Sequence, residues 1–130
     1  MVIDTSALIA ILEQEQEAEA LSRAIALAEP RLVSAATLVE AAMVIIARRG
    51  ELGGAKLDRL LQESRAEIVP VVEGHTRLAR EGFLRFGKGR HPAGLNFGDC
   101  FSYALARATE LPLLFKGGDF SQTDVQIVGY

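Results

Sequence analysis

Cysteine occurs once in the 130 residues, at Cys100. Neither an intrachain disulfide nor a metal site of several thiolates is therefore available, and a reducing compartment is the expected setting. A basic surplus is missing as well. Fourteen Lys and Arg stand against seventeen Asp and Glu, a formal charge of -3, which excludes a uniformly basic nucleic-acid coat and leaves only a local basic patch. No apolar run approaches membrane-spanning length, and Met1 leads straight into Val2-Ile3 without a basic leader segment. No membrane partner is expected, and the cytoplasm is the expected location. Repeats, linkers and low-complexity tracts are also lacking. With 49% hydrophobic and 24% charged residues, the chain reads as one packed domain over residues 1–130.

Met1–Ile3 reads as a short buried strand, followed at once by an apolar helix over Ser6–Leu12. Glu15–Glu29 predicts an amphipathic helix stopped by Pro30, Arg31–Val33 a second strand, and Leu38–Arg49 a buried helix closed by Gly50. After a break at Gly53-Gly54 come an amphipathic helix over Lys56–Arg65, a strand over Ile68–Val72 that Pro70 assigns to an edge, and a helix over His75–Phe86. Gly87–Gly98 is a long loop, Asp99–Ala108 a helix and Leu111–Phe115 a buried strand. Lys116–Asp124 is a polar turn before a last short strand, Val125–Val128. Strands separated by helices imply long crossovers, so the predicted fold is a three-layer α/β/α sandwich around a mainly parallel sheet.

Ligands of such sheets bind beyond the carboxyl ends of the strands. Four acids fall there: Asp4, Glu40, Asp99 and Asp119. Each has a local alternative. Asp4 can cap the Ser6 helix, Asp99 can cap its own helix with Ser102 three residues on, Asp119 can be a turn residue, and Thr37 and Glu40 have the spacing of a capping box. Glu40, however, is the only charged residue between Arg31 and Arg48, in a helix otherwise fit for the core. A buried carboxylate needs a partner, and a divalent cation shared with the other acids would neutralise it. Oxygen-only donors favour Mg²⁺ or Mn²⁺ over zinc.

Four segments carry a family resemblance: VIDTSAL at the start, SAATLVEA around Glu40, GLNFGDCFSYALA around Asp99, and LLFKGGDFSQTD near the end. Together they resemble the PIN-domain ribonucleases, and most of all the VapC-type toxins of bacterial type II toxin-antitoxin pairs. The resemblance implies a metal-dependent endoribonuclease with Asp4, Glu40 and Asp99 as the carboxylates of its metal site. It also implies an RNA substrate, a homodimer, and a small antitoxin whose C-terminal segment lies over the active site. Many PIN domains carry T-R-D where Phe115-Lys116-Gly117 stands here. Asp119 is thus displaced by two residues, with Asp124 as a substitute candidate.

Around the acids, Thr5, Ser6 and Asn96 are candidates to position a ligand oxygen or a water, with capping as the alternative, and Lys116 to meet a phosphate. Arg85, Lys88 and Arg90 form an acid-free basic stretch before Asp99, a phosphate guide or a solvated surface. Cys100 reads as a small helix hydrophobe, and His75 and His91 lack a metal-ligand spacing. The alternative function is a catalytically silent PIN-like module that binds RNA or protein, which metal-dependent cleavage would separate from a nuclease. An aspartyl-phosphate enzyme fits less well, because Asp4-Thr5-Ser6 lacks the second acid of a D-x-D motif.

Overall fold

The computed structural model describes residues 1–130. Its strands are β1 (Val2–Ile3), β2 (Leu32–Ser34), β3 (Glu67–Val69) and β4 (Leu113–Leu114), all parallel, in the order β3-β2-β1-β4. Strand side chains alternate between two faces. Ile3, Val33 and Leu114 enter one apolar core, which is completed by helices α1 (Thr5–Leu12), α2 (Ala18–Leu27) and α3 (Ala35–Glu63). Val2, Leu32 and Leu113 enter a second core, covered by α4 (Glu73–Phe86) and α5 (Phe97–Thr109). The sandwich is thus the predicted three-layer α/β/α arrangement, and β3, ending just before Pro70, is an edge strand as expected. No helix is long and apolar enough to cross a membrane.

Local differences from the sequence reading have identifiable causes. The helices expected at Leu38–Arg49 and Lys56–Arg65 are two halves of α3, and the break falls at Gly50 rather than Gly53-Gly54. Gly50 takes φ 67°, ψ -160°, a left-handed conformation that a side chain would strain. Val125–Val128 forms no strand but lies beside β4, where the Leu113 amide donates to Gln126 O at 2.8 Å and the Val128 amide to Leu113 O at 3.0 Å. The glycine-rich loop is closed by a single bridge between Gly87 and Leu95. Finally, α5 begins at Phe97, with Asn96 as its cap, instead of at Asp99.

This topology puts one edge of the sheet in charge of the chemistry. α1 and α3 leave the carboxyl ends of β1 and β2, while α5 runs back toward the start of β4. The amino ends of these helices therefore share one edge, and their dipoles favour negative charge there.

Candidate active site

Asp4 follows β1 directly and is 2% exposed. A carboxylate so deeply buried needs donors, and three supply them. The Ser6 amide donates to its Oδ2 at 2.9 Å, Ser6 Oγ donates to the same oxygen at 2.6 Å, and Ser102 Oγ donates to Oδ1 at 2.6 Å. Asp4 is thus the N-cap of α1, as its local alternative held, and also the floor of a wider arrangement. Ser102 itself lies 3.1 Å from Thr37 Oγ1. Thr37 is therefore spent on Ser102 and caps nothing, which removes the capping-box reading of Thr37 and Glu40.

Glu40 reaches the same region from the second turn of α3. Thr5 Oγ1 donates to its Oε2 at 3.2 Å. Its carboxyl sits against Gly98, where any β-carbon would overlap it. Burial, and then the charge of Asp4, raise its pKa, while the Thr5 hydrogen bond opposes them. Asp99 is fixed from α5 by a capping box: its amide donates to Asn96 Oδ1 at 2.9 Å, and the Asn96 amide returns to Asp99 Oδ2 at 2.9 Å. The partner in that box is Asn96, because Ser102 is already committed to Asp4. Burial pushes the Asp99 carboxyl up to about 6, with the charges of Asp4, Glu40 and Asp119 adding to it and the Asn96 amide resisting.

These three acids, with Asp119, Ser6, Asn96 and Lys116, line one cleft of about 350 Å³. Ser6 ties two strand ends together, because its Oγ also accepts from the Lys116 amide at 3.0 Å. None of the four acids is in an ion pair. As their side chains stand, no group of three or more His, Cys, Asp or Glu is spaced to hold one ion. Serines, a threonine and backbone amides satisfy Asp4, Glu40 and Asp99 singly. The donor set is all oxygen, the chemistry that a hard divalent cation takes.

A PIN domain family model matches residues 1–126. The chain belongs to the PIN-domain family. Ribonuclease VapC of Mycolicibacterium smegmatis is 52% identical over 128 residues, covering 98% of this PIN domain chain and 99% of that protein. The crystal structure of VapC20 from Mycobacterium tuberculosis, described as a sarcin-ricin loop cleaving toxin, superposes with a TM-score of 0.79. It is 20% identical and covers 98% of this chain and 97% of that one. VapBC2 from Rickettsia felis, bound to a DNA fragment from its promoter, gives a TM-score of 0.75 at 18% identity, over 98% and 96% of the chains. At such identities the two structures speak for the fold alone.

Not every predicted residue reaches the cleft of this PIN domain. Arg85 lies at the end of α4, where it donates to Asp124 Oδ2 at 2.8 Å and stacks on Phe86, 4.7 Å from the ring centroid. Arg90 lines a separate apolar groove with Phe83, Leu84, Phe97 and Phe101, and Lys88 is exposed in the intervening turn. Asp124 is no substitute for Asp119, because Tyr103, Arg85 and Arg107 all donate to it away from the cleft. Lys116 does line the cleft, but its ammonium pairs with Glu15 and, at 3.3 Å, with Glu17. The sequence reading paired Ser102 with Asp99 and missed its service to Asp4, and it missed Arg48 and Glu15 as cleft residues. Ser102 stands one turn after Asp99, and Arg48 two turns after Glu40 on the same helical face, spacings that a search for helical neighbours detects. Glu15 carries no such signal, since it reads as the start of the amphipathic Glu15–Glu29 helix.

Proposed function

We propose that this cleft is the active site of a divalent-cation-dependent endoribonuclease that works, as one PIN-like domain in the cytoplasm, as the toxin of a toxin-antitoxin pair. The observation that carries the reading is electrostatic. Four acids share a half-buried cleft in which no cation pairs with them, and Asp99 is held up to about 6 by burial and by its neighbours. A fold that stores such repulsion is matched to a cationic ligand. The relatives' being ribonucleases favours cleavage over a silent RNA- or protein-binding module.

In this reading Asp4, Glu40 and Asp99 hold Mg²⁺ or Mn²⁺, with Asp119 as the fourth acid at the rim. When bound, the cation supplies Lewis-acid polarisation of the phosphodiester and a water of lowered pKa. The chain's own work is orientation. Ser6 and Ser102 fix both oxygens of Asp4, Asn96 fixes Asp99, Thr5 fixes Glu40, and the space at Gly98 lets Glu40 approach. Lys116 stands at the mouth as a phosphate contact once substrate displaces Glu15 and Glu17. A small antitoxin partner and a homodimer complete the reading, the former supported by the VapBC assembly among the structural neighbours.

The test is incubation of purified protein with total RNA in Mg²⁺, in Mn²⁺ and in chelator, with the cut ends mapped. Cleavage that needs the cation and leaves 5'-phosphate and 3'-hydroxyl ends is expected. Cutting that continues in chelator and survives Asp4→Asn contradicts the reading.

A further inference from the structure

Two cations line the carboxylate cleft, Lys116 and Arg48. They differ in what already holds them. Lys116 is committed to Glu15 and Glu17. Arg48 is exposed, and no ion pair of the structure includes it. Its neighbour Arg49 grips Glu13 with two hydrogen bonds of 3.1 and 2.6 Å. Glu13, an acid close enough to feel the charge of Arg48, is therefore already taken.

The position of Arg48 follows from helix geometry. Glu40, Val44 and Arg48 succeed one another at four-residue steps, so they share one face of α3, and all of Glu40, Val44 and Arg48 border the cleft. Eight residues of α-helix advance about 12 Å, more than the gap between adjacent phosphates of a strand. Gly50 breaks the helix two residues beyond, which leaves the Arg48 side chain at the end of that face, open to solvent. A cation anchored two helical turns from Glu40 on the border of the same cleft addresses a flanking phosphate, whereas the acids address the one that is cut.

We infer that Arg48 anchors a flanking phosphate of the RNA strand and lays that strand along α3 toward Glu40 and Asp99; the inference rests on the endoribonuclease reading above. Arginine suits the role, since its planar fork binds phosphate oxygens in pairs. A purely structural role, a positive charge near the end of the first half of α3, would act on stability and not on substrate.

The experiment measures cleavage in Mg²⁺ of a defined single-stranded RNA oligonucleotide and of a dinucleotide across a salt series. It compares wild type, Arg48→Gln, Arg48→Lys and, as a control away from the cleft, Arg59→Gln. For the oligonucleotide, Arg48→Gln should raise KM roughly tenfold with kcat held. The salt slope of kcat/KM should flatten by about 0.7, the contribution of one phosphate contact on a single strand. Arg48→Lys should restore the slope, and Arg59→Gln should match wild type. The dinucleotide, which has no flanking phosphate, should not respond to Arg48→Gln. An unchanged KM and salt slope for the oligonucleotide, or an equal loss on both substrates, overturns the assignment while leaving the nuclease reading intact. A wild type that makes no cut overturns the nuclease reading, and this inference with it.

Discussion

The molecule treats two groups of acids in opposite ways. Toward the carboxyl end of α5, Asp124 accepts from Tyr103 at 3.0 Å, Arg85 at 2.8 Å and Arg107 at 2.7 Å. Burial alone would push its carboxyl up, but hydrogen bonds from Tyr103 and Arg85 and the charges of Arg107 and Arg85 outweigh burial and hold it below its ordinary value. In the cleft, the same fold surrounds Asp99 with Asp4, Glu40 and Asp119, and its carboxyl rises to about 6. Arginine is available to the structure and is used where an acid only has to be stable. In the cleft, Arg48 pairs with none of the acids, which leaves them to the divalent cation proposed above.

Removing the charge at the floor of the cleft should have the greatest consequence. Asp4→Asn keeps a cap for α1 but removes a charge from the centre of the site, and RNA cleavage should fall by roughly a hundredfold or more, read as initial rates. Gly98→Ala attacks the same site by shape, forcing the Glu40 carboxyl aside. Its cleavage should drop about tenfold, as for other changes to residues that orient a metal ligand, and Glu40→Gln should add little on top of it. Asp124→Asn tests the other region. It should cost about 1 kcal/mol in denaturant unfolding, because that cluster is partly solvent-screened, and should leave cleavage at the wild-type rate.

The pH dependence of stability, a weaker signal, separates the two groups of acids by its sign. The Asp99 pKa is raised from 3.8 to about 6 on folding, so its contribution is fully present below the unfolded value and is lost as pH rises through about 6. The Asp124 pKa is lowered, so its contribution is present above its unfolded value and is lost as pH falls through the folded one. In chelator, therefore, melts should show Asp99→Asn gaining on wild type as pH climbs from about 4 to about 6. Asp124→Asn should lose ground to wild type as pH rises from acid.

Much of this was legible in the chain because it rests on local rules. The alternation of buried strands and helices gave the layered sheet, and Pro70 marked the edge. The lone charge of Glu40 in an apolar helix pointed to a shared site, and the structure brings Asp4, Glu40, Asp99 and Asp119 to one cleft. What escaped depends on distance in space. That Ser102 serves Asp4, 98 residues away in sequence, is a consequence of how α5 packs under β1. The basic stretch of Arg85, Lys88 and Arg90 looked like a guide because it precedes Asp99, yet Arg85 is held by Asp124 and does not reach the cleft. Adjacency along the chain misled there, whereas two four-residue helical steps from Glu40 to Arg48 would have led to the cleft.

Thermal melts show whether the cleft acids take up a cation that Asp124, already satisfied, does not need. Wild type, Asp99→Asn and Asp124→Asn are melted near neutral pH in chelator and in saturating Mn²⁺. A ligand that binds only the native state raises its melting temperature. Wild type and Asp124→Asn should gain equally from the cation, and Asp99→Asn should lose most of that gain while starting no lower than wild type in chelator. An equal gain in all three proteins would contradict the account, because Asp99 would then have no part in holding the ion.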